Sequence, residues 1–103
     1  MSDSPDFRAL KESLLAAALG PFFPDWEFFT LFGLERARVE AIARTFSSAT
    51  PVSADVELAL GNAVANLLGY PHGQDAAWAQ WLSVTPSELQ VAYSKWRASS
   101  IGA

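Results

Sequence analysis

Six glycines and six prolines cut this chain of 103 residues into pieces of helical length, and the material between them is helix-forming. Alanine and leucine supply 30 residues, whereas the β-branched Val, Ile and Thr together supply 12. Ala and Leu stand high on the helix scale and β-branched residues favour strands, so the chain is expected to be all-α. Ser4-Pro5 reads as an N-cap with proline at the first helical position. Phe7, Leu10, Leu14 and Ala17 follow at helical spacing, Arg8 and Glu12 pair on the other side, and Gly20-Pro21 ends this first helix near residue 19. Asp25 caps a short second helix that runs to Phe32 and stops at Gly33. A third spans about 35–47, with Val39, Ile42 and Phe46 as its apolar stripe. Its Arg36-Glu40-Arg44 ladder reads as a solvated face.

Thr50-Pro51 is a linker by composition, and Ser53 caps a fourth helix over 54–68 that ends at Gly69. Tyr70-Pro71-His72-Gly73 has the makeup of a tight turn. A fifth helix over 75–82 is capped by Asp75. Thr85-Pro86-Ser87-Glu88 is a full capping box that opens a sixth over 86–98. The expectation is a single small domain over 1–103, five to six short helices packed around one aromatic core, with residues 1–4 and 99–103 frayed.

Composition narrows the function. Half of the residues are hydrophobic and 17 % are charged, against about 25 % charged in a typical soluble domain. Disorder needs the reverse balance. The absence of Cys removes disulfide scaffolds and thiolate nucleophiles, and one His cannot build a zinc site of two histidines. Asp25/Glu27 and Asp55/Glu57 are spaced i, i+2 and do not share a helix face. No nucleophile elbow, Gly-rich phosphate loop or EF-hand pattern occurs. The chain is therefore expected to have no catalytic residues, no metal and no cofactor.

A net charge of −4 has the wrong sign for attraction to phosphate. From Thr45 to Ser94 there is no Lys or Arg, while Asp55, Glu57, Asp75 and Glu88 fall there. The acidic N-terminus does not read as a signal peptide. The longest uncharged run, Leu58 to Gln74, is broken by Gly, Asn and Pro, so no membrane span and a cytoplasmic location are expected. Richness in Ala and five Arg against two Lys suggest a GC-rich bacterial genome.

Three features point toward contacts with other molecules. Phe22, Phe23, Trp26, Phe28, Phe29 and Phe32 are six of eleven residues, too many for one side of a short helix. That segment either plugs the core or presents an anchor patch to a partner. On the fourth helix, Val56, Leu60, Val64 and Leu67 share one face. The opposite face carries Asp55, Asn62 and Asn66 beside Leu58, Gly61 and Ala65. Asn and Gly are poor helix-interior residues, so this face either packs closely on another helix with its amides satisfied or meets a partner. The Tyr70–His72 turn is the third; His72 either holds the turn through backbone hydrogen bonds or acts as a polar, pH-sensitive contact.

The contact surface expected from the sequence thus comprises Trp26, Phe28, Phe29, Phe32, Asp55, Asn62, Asn66, Tyr70 and His72. It would serve a small cytosolic module that binds a protein partner or a second copy of itself, a profile shared by immunity proteins, antitoxins and small adaptors. The alternative is a helix-turn-helix regulator of DNA. Ala79, the Ser83–Thr85 turn, Leu89 and Ala92 in the 75–98 hairpin loosely follow helix-turn-helix spacing. The start of its second helix offers Pro86, Ser87, Glu88 and Gln90, and its basic residues Lys95 and Arg97 lie at the far end.

Overall fold

The computed structural model describes residues 5–47, 53–70 and 73–101, the last three by their backbone alone. Ser4, the Thr50-Pro51 linker, Pro71 and His72 lie outside the described residues, as do residues 1–4 and, of the expected frayed end 99–103, residues 102–103. Six α-helices follow in chain order: α1 (Pro5–Leu19), α2 (Asp25–Phe32), α3 (Arg36–Thr45), α4 (Ala54–Gly69), α5 (Trp78–Trp81) and α6 (Pro86–Ile101). A 3₁₀ turn, Asp75–Ala77, leads into α5. No strand occurs among the described residues. The protein is a single small all-α domain whose Cα radius of gyration is 12.6 Å, near the ~13 Å of a compact chain of this length.

Helix α1 is the central element and touches α3, α4, α5 and α6. It buries Ala9, Leu10, Ser13, Leu14, Ala16, Ala17 and Ala18, more of its circumference than one stripe. Small Ala side chains let several helices approach one axis, and a helix covered on many sides belongs in the core. Ser13, the buried polar residue of this helix, donates from its hydroxyl to the Leu10 carbonyl at 2.6 Å. Around α1 the core gathers Phe22, Phe32, Phe46, Leu60 and Leu89, all fully buried.

Several ends follow the local signals. Ser53 Oγ accepts from the Val56 amide at 3.3 Å, and the Thr85–Glu88 box closes in both directions at 2.8 and 3.1 Å. Others differ. Asp25 is the first residue of α2 rather than its cap; Pro24 holds the cap position and supplies no side-chain hydrogen bond. Helix α3 starts at Arg36 and ends at Thr45, because the extended backbone of Phe46 (φ −67°, ψ 130°) turns its ring inward, where it is buried. The fifth helix shrinks to one α-turn behind the 3₁₀ turn, and Asp75 opens that turn instead of capping it. Helix α6 continues through Ile101, past the expected fraying point. Among the described residues no ion pair joins Glu12 to Arg8. Glu12 Oε1 accepts from the amide and hydroxyl of Ser83 at 2.9 and 2.8 Å, which ties α1 to the turn ahead of α6. Trp78 Nε1 donates to the Val84 carbonyl at 2.7 Å and closes the same turn.

Candidate functional site

Helix α2 divides the aromatic segment in two. Phe28 and Phe32, one helical turn apart, point inward and stack with centroids 4.3 Å apart and planes 4° from parallel. Phe23 meets Phe32 edge-on at 5.4 Å and Tyr70 at 5.6 Å, and Phe22 meets Trp78 at 6.4 Å. These rings are core. Phe28 and Phe32 were expected on a contact surface, but the i, i+4 register that aligns them turns both to the interior, where they are buried.

Arg36 holds the inner face from the far side. Its guanidinium carbon lies 4.4 Å from the Phe28 ring centroid. Nη1 donates to the carbonyls of Ala17 and Ala18 at 3.3 and 2.9 Å, and Nη2 donates to the Phe23 carbonyl at 2.8 Å. Nη2 also pairs with Asp25 at 2.9 Å. One side chain therefore satisfies the open carbonyls at the end of α1, anchors the 20–24 connection and covers an aromatic stack. The expected solvated ladder survives only between Glu40 and Arg44, at 2.7 Å. Arg36 leaves it because the end of α1 supplies carbonyl acceptors within its reach.

The Asn face of α4 meets α2. Asn62 Nδ2 donates to the Phe32 carbonyl at 2.9 Å, and Asn66 Nδ2 donates to the Leu31 carbonyl at 3.2 Å and the Asn62 carbonyl at 2.9 Å. Both amides thus serve the C-terminal carbonyls of α2, which the short helix leaves open. Gly61, on the neighbouring side of α4, lies against α6. A Cβ placed there would come within 3.0 Å of the Tyr93 hydroxyl, so the missing side chain permits the approach. Gly33 ends α2 in the left-handed region (φ 70°, ψ 8°), and its amide donates to the Phe29 carbonyl at 2.7 Å. That conformation is costly for any residue with a Cβ.

The outer face of α2 is different. Trp26 is 80 % exposed and Phe29 is 62 % exposed. They stand three residues apart, and Gly33 continues the same stripe. Leu58 of α4, 42 % exposed, comes within 3.2 Å of where a Gly33 Cβ would stand. Trp26, Phe29, Gly33 and Leu58 therefore form one continuous ridge across two helices. At ~150–250 Å² per large aromatic side chain, the two rings alone leave on the order of 300 Å² of apolar surface in water. Isolated exposed hydrophobics are ordinary; a contiguous patch of about this size is comparable to the largest apolar patch of a typical small protein.

Asp55 sits beside the ridge and pairs with Arg38 at 3.1 Å. Tyr70, half-buried against Phe23, lends its hydroxyl to the Glu27 carboxylate; that hydrogen bond and the neighbouring negative charge raise its pKa above the ordinary value. The fold thus brings Trp26, Phe29 and Asp55 to one surface. It assigns Phe28 and Phe32 to the core and commits the amides of Asn62 and Asn66 to α2. Leu58 and Gly33 complete the ridge without having been singled out as contacts. Leu58 lies one turn before Asn62, and that spacing is the signal for its place.

Apart from the ridge, a concavity of about 320 Å³ lies between the first turns of α1 and α6, with Pro5, Asp6, Ala9, Val84, Glu88 and Val91 in its lining. Lys95 faces Asp6 at 3.9 Å, and Glu88 is committed to the capping box. Among the described residues, no three His, Asp or Glu side chains gather where they could hold one metal ion. No helix among them is long and apolar enough to cross a membrane. No protein-family model, curated protein or solved structure matches this chain.

Proposed function

We propose that this protein is a small interaction module that acts by binding another protein rather than by catalysis, with the ridge of Trp26, Phe29, Gly33 and Leu58 as its docking face. The observation that carries the reading is the exposure of Trp26 and Phe29 on the helix whose opposite side is the most aromatic part of the core. Trp is the residue most enriched among interface hot spots, and a rigid ring on a short, well-anchored helix loses little entropy on docking. Arg36, Asn62 and Asn66 support the reading, because together they fix both ends of α2 and hold the outer rings in place. A cytoplasmic setting and an adaptor, immunity or antitoxin type of role accord with the acidic, Cys-free composition.

The test is the double variant Trp26→Ala/Phe29→Ala. It should keep the circular dichroism and melting temperature of the parent and lose association, measured by light scattering after size exclusion and by pull-down from the native host. If the double variant unfolds, the rings belong to the core and the reading is wrong.

A further inference from the structure

We infer that the docking ridge takes a basic amphipathic segment of a different protein, one that sets Lys or Arg beside apolar side chains, and not a second copy of this chain. The inference rests on the docking reading above and adds the chemistry of the occupant. Helical spacing sets Asp25 and Glu27 at the two borders of the Trp26–Phe29–Gly33 stripe. Glu35 follows just beyond Gly33, and Asp55 and Glu57 stand beside Leu58 at the start of α4. The basic residues in this part of the chain are Arg36 and Arg38. Arg36 is drawn inward onto Ala17, Ala18 and Phe23 while pairing with Asp25, and Arg38 pairs with Asp55. Among the described residues no ion pair reaches Glu27, Glu35 or Glu57, and Glu27 keeps its negative charge while accepting the Tyr70 hydroxyl.

Carboxylates in a first helical turn do complement the helix dipole. That role alone does not require the removal of every Lys and Arg from Thr45 to Ser94. An apolar centre with a rim of one sign is the arrangement that steers an oppositely charged partner and fixes its register. Two copies related by a two-fold axis would set this acidic rim against itself, since an isologous contact repeats the same patch on both sides. The same rim repels phosphate-bearing surfaces, whether nucleic acid or anionic lipid.

The experiment titrates the intact protein with an amphipathic Leu/Lys peptide helix and with its Leu/Glu counterpart, by calorimetry at low and at moderate salt, and measures self-association over the same concentrations. The Leu/Lys peptide should bind and the Leu/Glu peptide should not. Trp26→Ala/Phe29→Ala should weaken binding at least tenfold, and Glu35→Gln/Glu57→Gln should weaken it several-fold. Asp75→Asn, outside the rim, should leave it unchanged, and added salt should lower the affinity. Equal binding of both peptides through Trp26 and Phe29 overturns the charge inference and leaves the docking reading intact. So does concentration-dependent dimerisation that the double variant abolishes. If the Leu/Lys peptide binds the double variant as well as the parent, attraction is by charge alone and the docking reading falls. A monomer that binds neither peptide overturns both.

Discussion

Phe28 and Phe29 are neighbours in the chain and identical in chemistry, yet the first is 2 % exposed and the second 62 %. One faces Arg36 and Phe32; the other faces water. The two sides of α2 show that hydrophobicity alone does not assign a residue to the core. The roughly 100° step between successive residues decides which ring meets the neighbouring helices. The inner side is over-determined by stacking, by a cation above the stack and by a capped C-terminal end. The outer side is held by none of these and sits on a rigid platform that the inner side builds.

Substitutions on the two sides should therefore differ sharply. The largest effect belongs to Phe32→Ala, which empties a fully buried site and should cost about 3–5 kcal/mol in urea unfolding. A loss under about 1 kcal/mol would mean that the inner face is not the core. Next comes Arg36→Met, which keeps apolar bulk over Phe28 but strands three carbonyls; exposed Asp25 loses only a surface pair. The substitution should cost about 2–4 kcal/mol by the same measure. Arg36→Lys should recover only part of this, because an ammonium lacks the planar fork that reaches α1 and Phe23 together. Asn62→Ala leaves the Phe32 carbonyl without its donor and should cost about 1–2 kcal/mol.

Tyr70 sharpens the comparison through pH. Its hydroxyl holds its proton more tightly in the folded protein than in the unfolded chain, whose value is near 10.0. Its contribution is thus fully present below that value and is lost as pH rises through the higher folded value. Tyr70→Phe should flatten the alkaline fall in stability seen in chemical unfolding on either side of this range, because the variant lacks at neutral pH the small contribution that the parent loses across it. The smallest effects on stability belong to the outer side. Trp26→Ala and Phe29→Ala should each shift unfolding by under about 0.5 kcal/mol, since neither ring has much buried surface to lose. A loss matching that of Phe32→Ala would erase the distinction between the two faces.

Much of the helical framework was legible before any tertiary contact was known. Periodicity together with Pro and Gly placed α1 at Pro5–Leu19, and Ser53 and the Thr85–Glu88 box marked two helix starts that the structure realises. The candidate site is legible only in part. The aromatic segment stands out in the sequence, but its division between core and surface does not, and the Asn face gives no sign of which helix uses its amides. In the sequence Arg36 has the spacing of a solvated rung, because its helix-face neighbours Glu40 and Arg44 do form a surface pair.

The division follows the range of the interactions. Caps, turns and side-chain pairs act within about one helical turn, so residue order alone determines them. Asn66 finds the Leu31 carbonyl 35 residues away, Arg36 reaches back to Ala17 and Ala18, and Glu12 reaches Ser83 across 71 residues. Residue order and composition determined that this protein is a small all-α domain with an aromatic centre and an acidic second half. The packing of α3 and α4 against α2 decided which of its aromatic rings are spent on stability and which stand in water, because exposure depends on what the rest of the chain brings alongside.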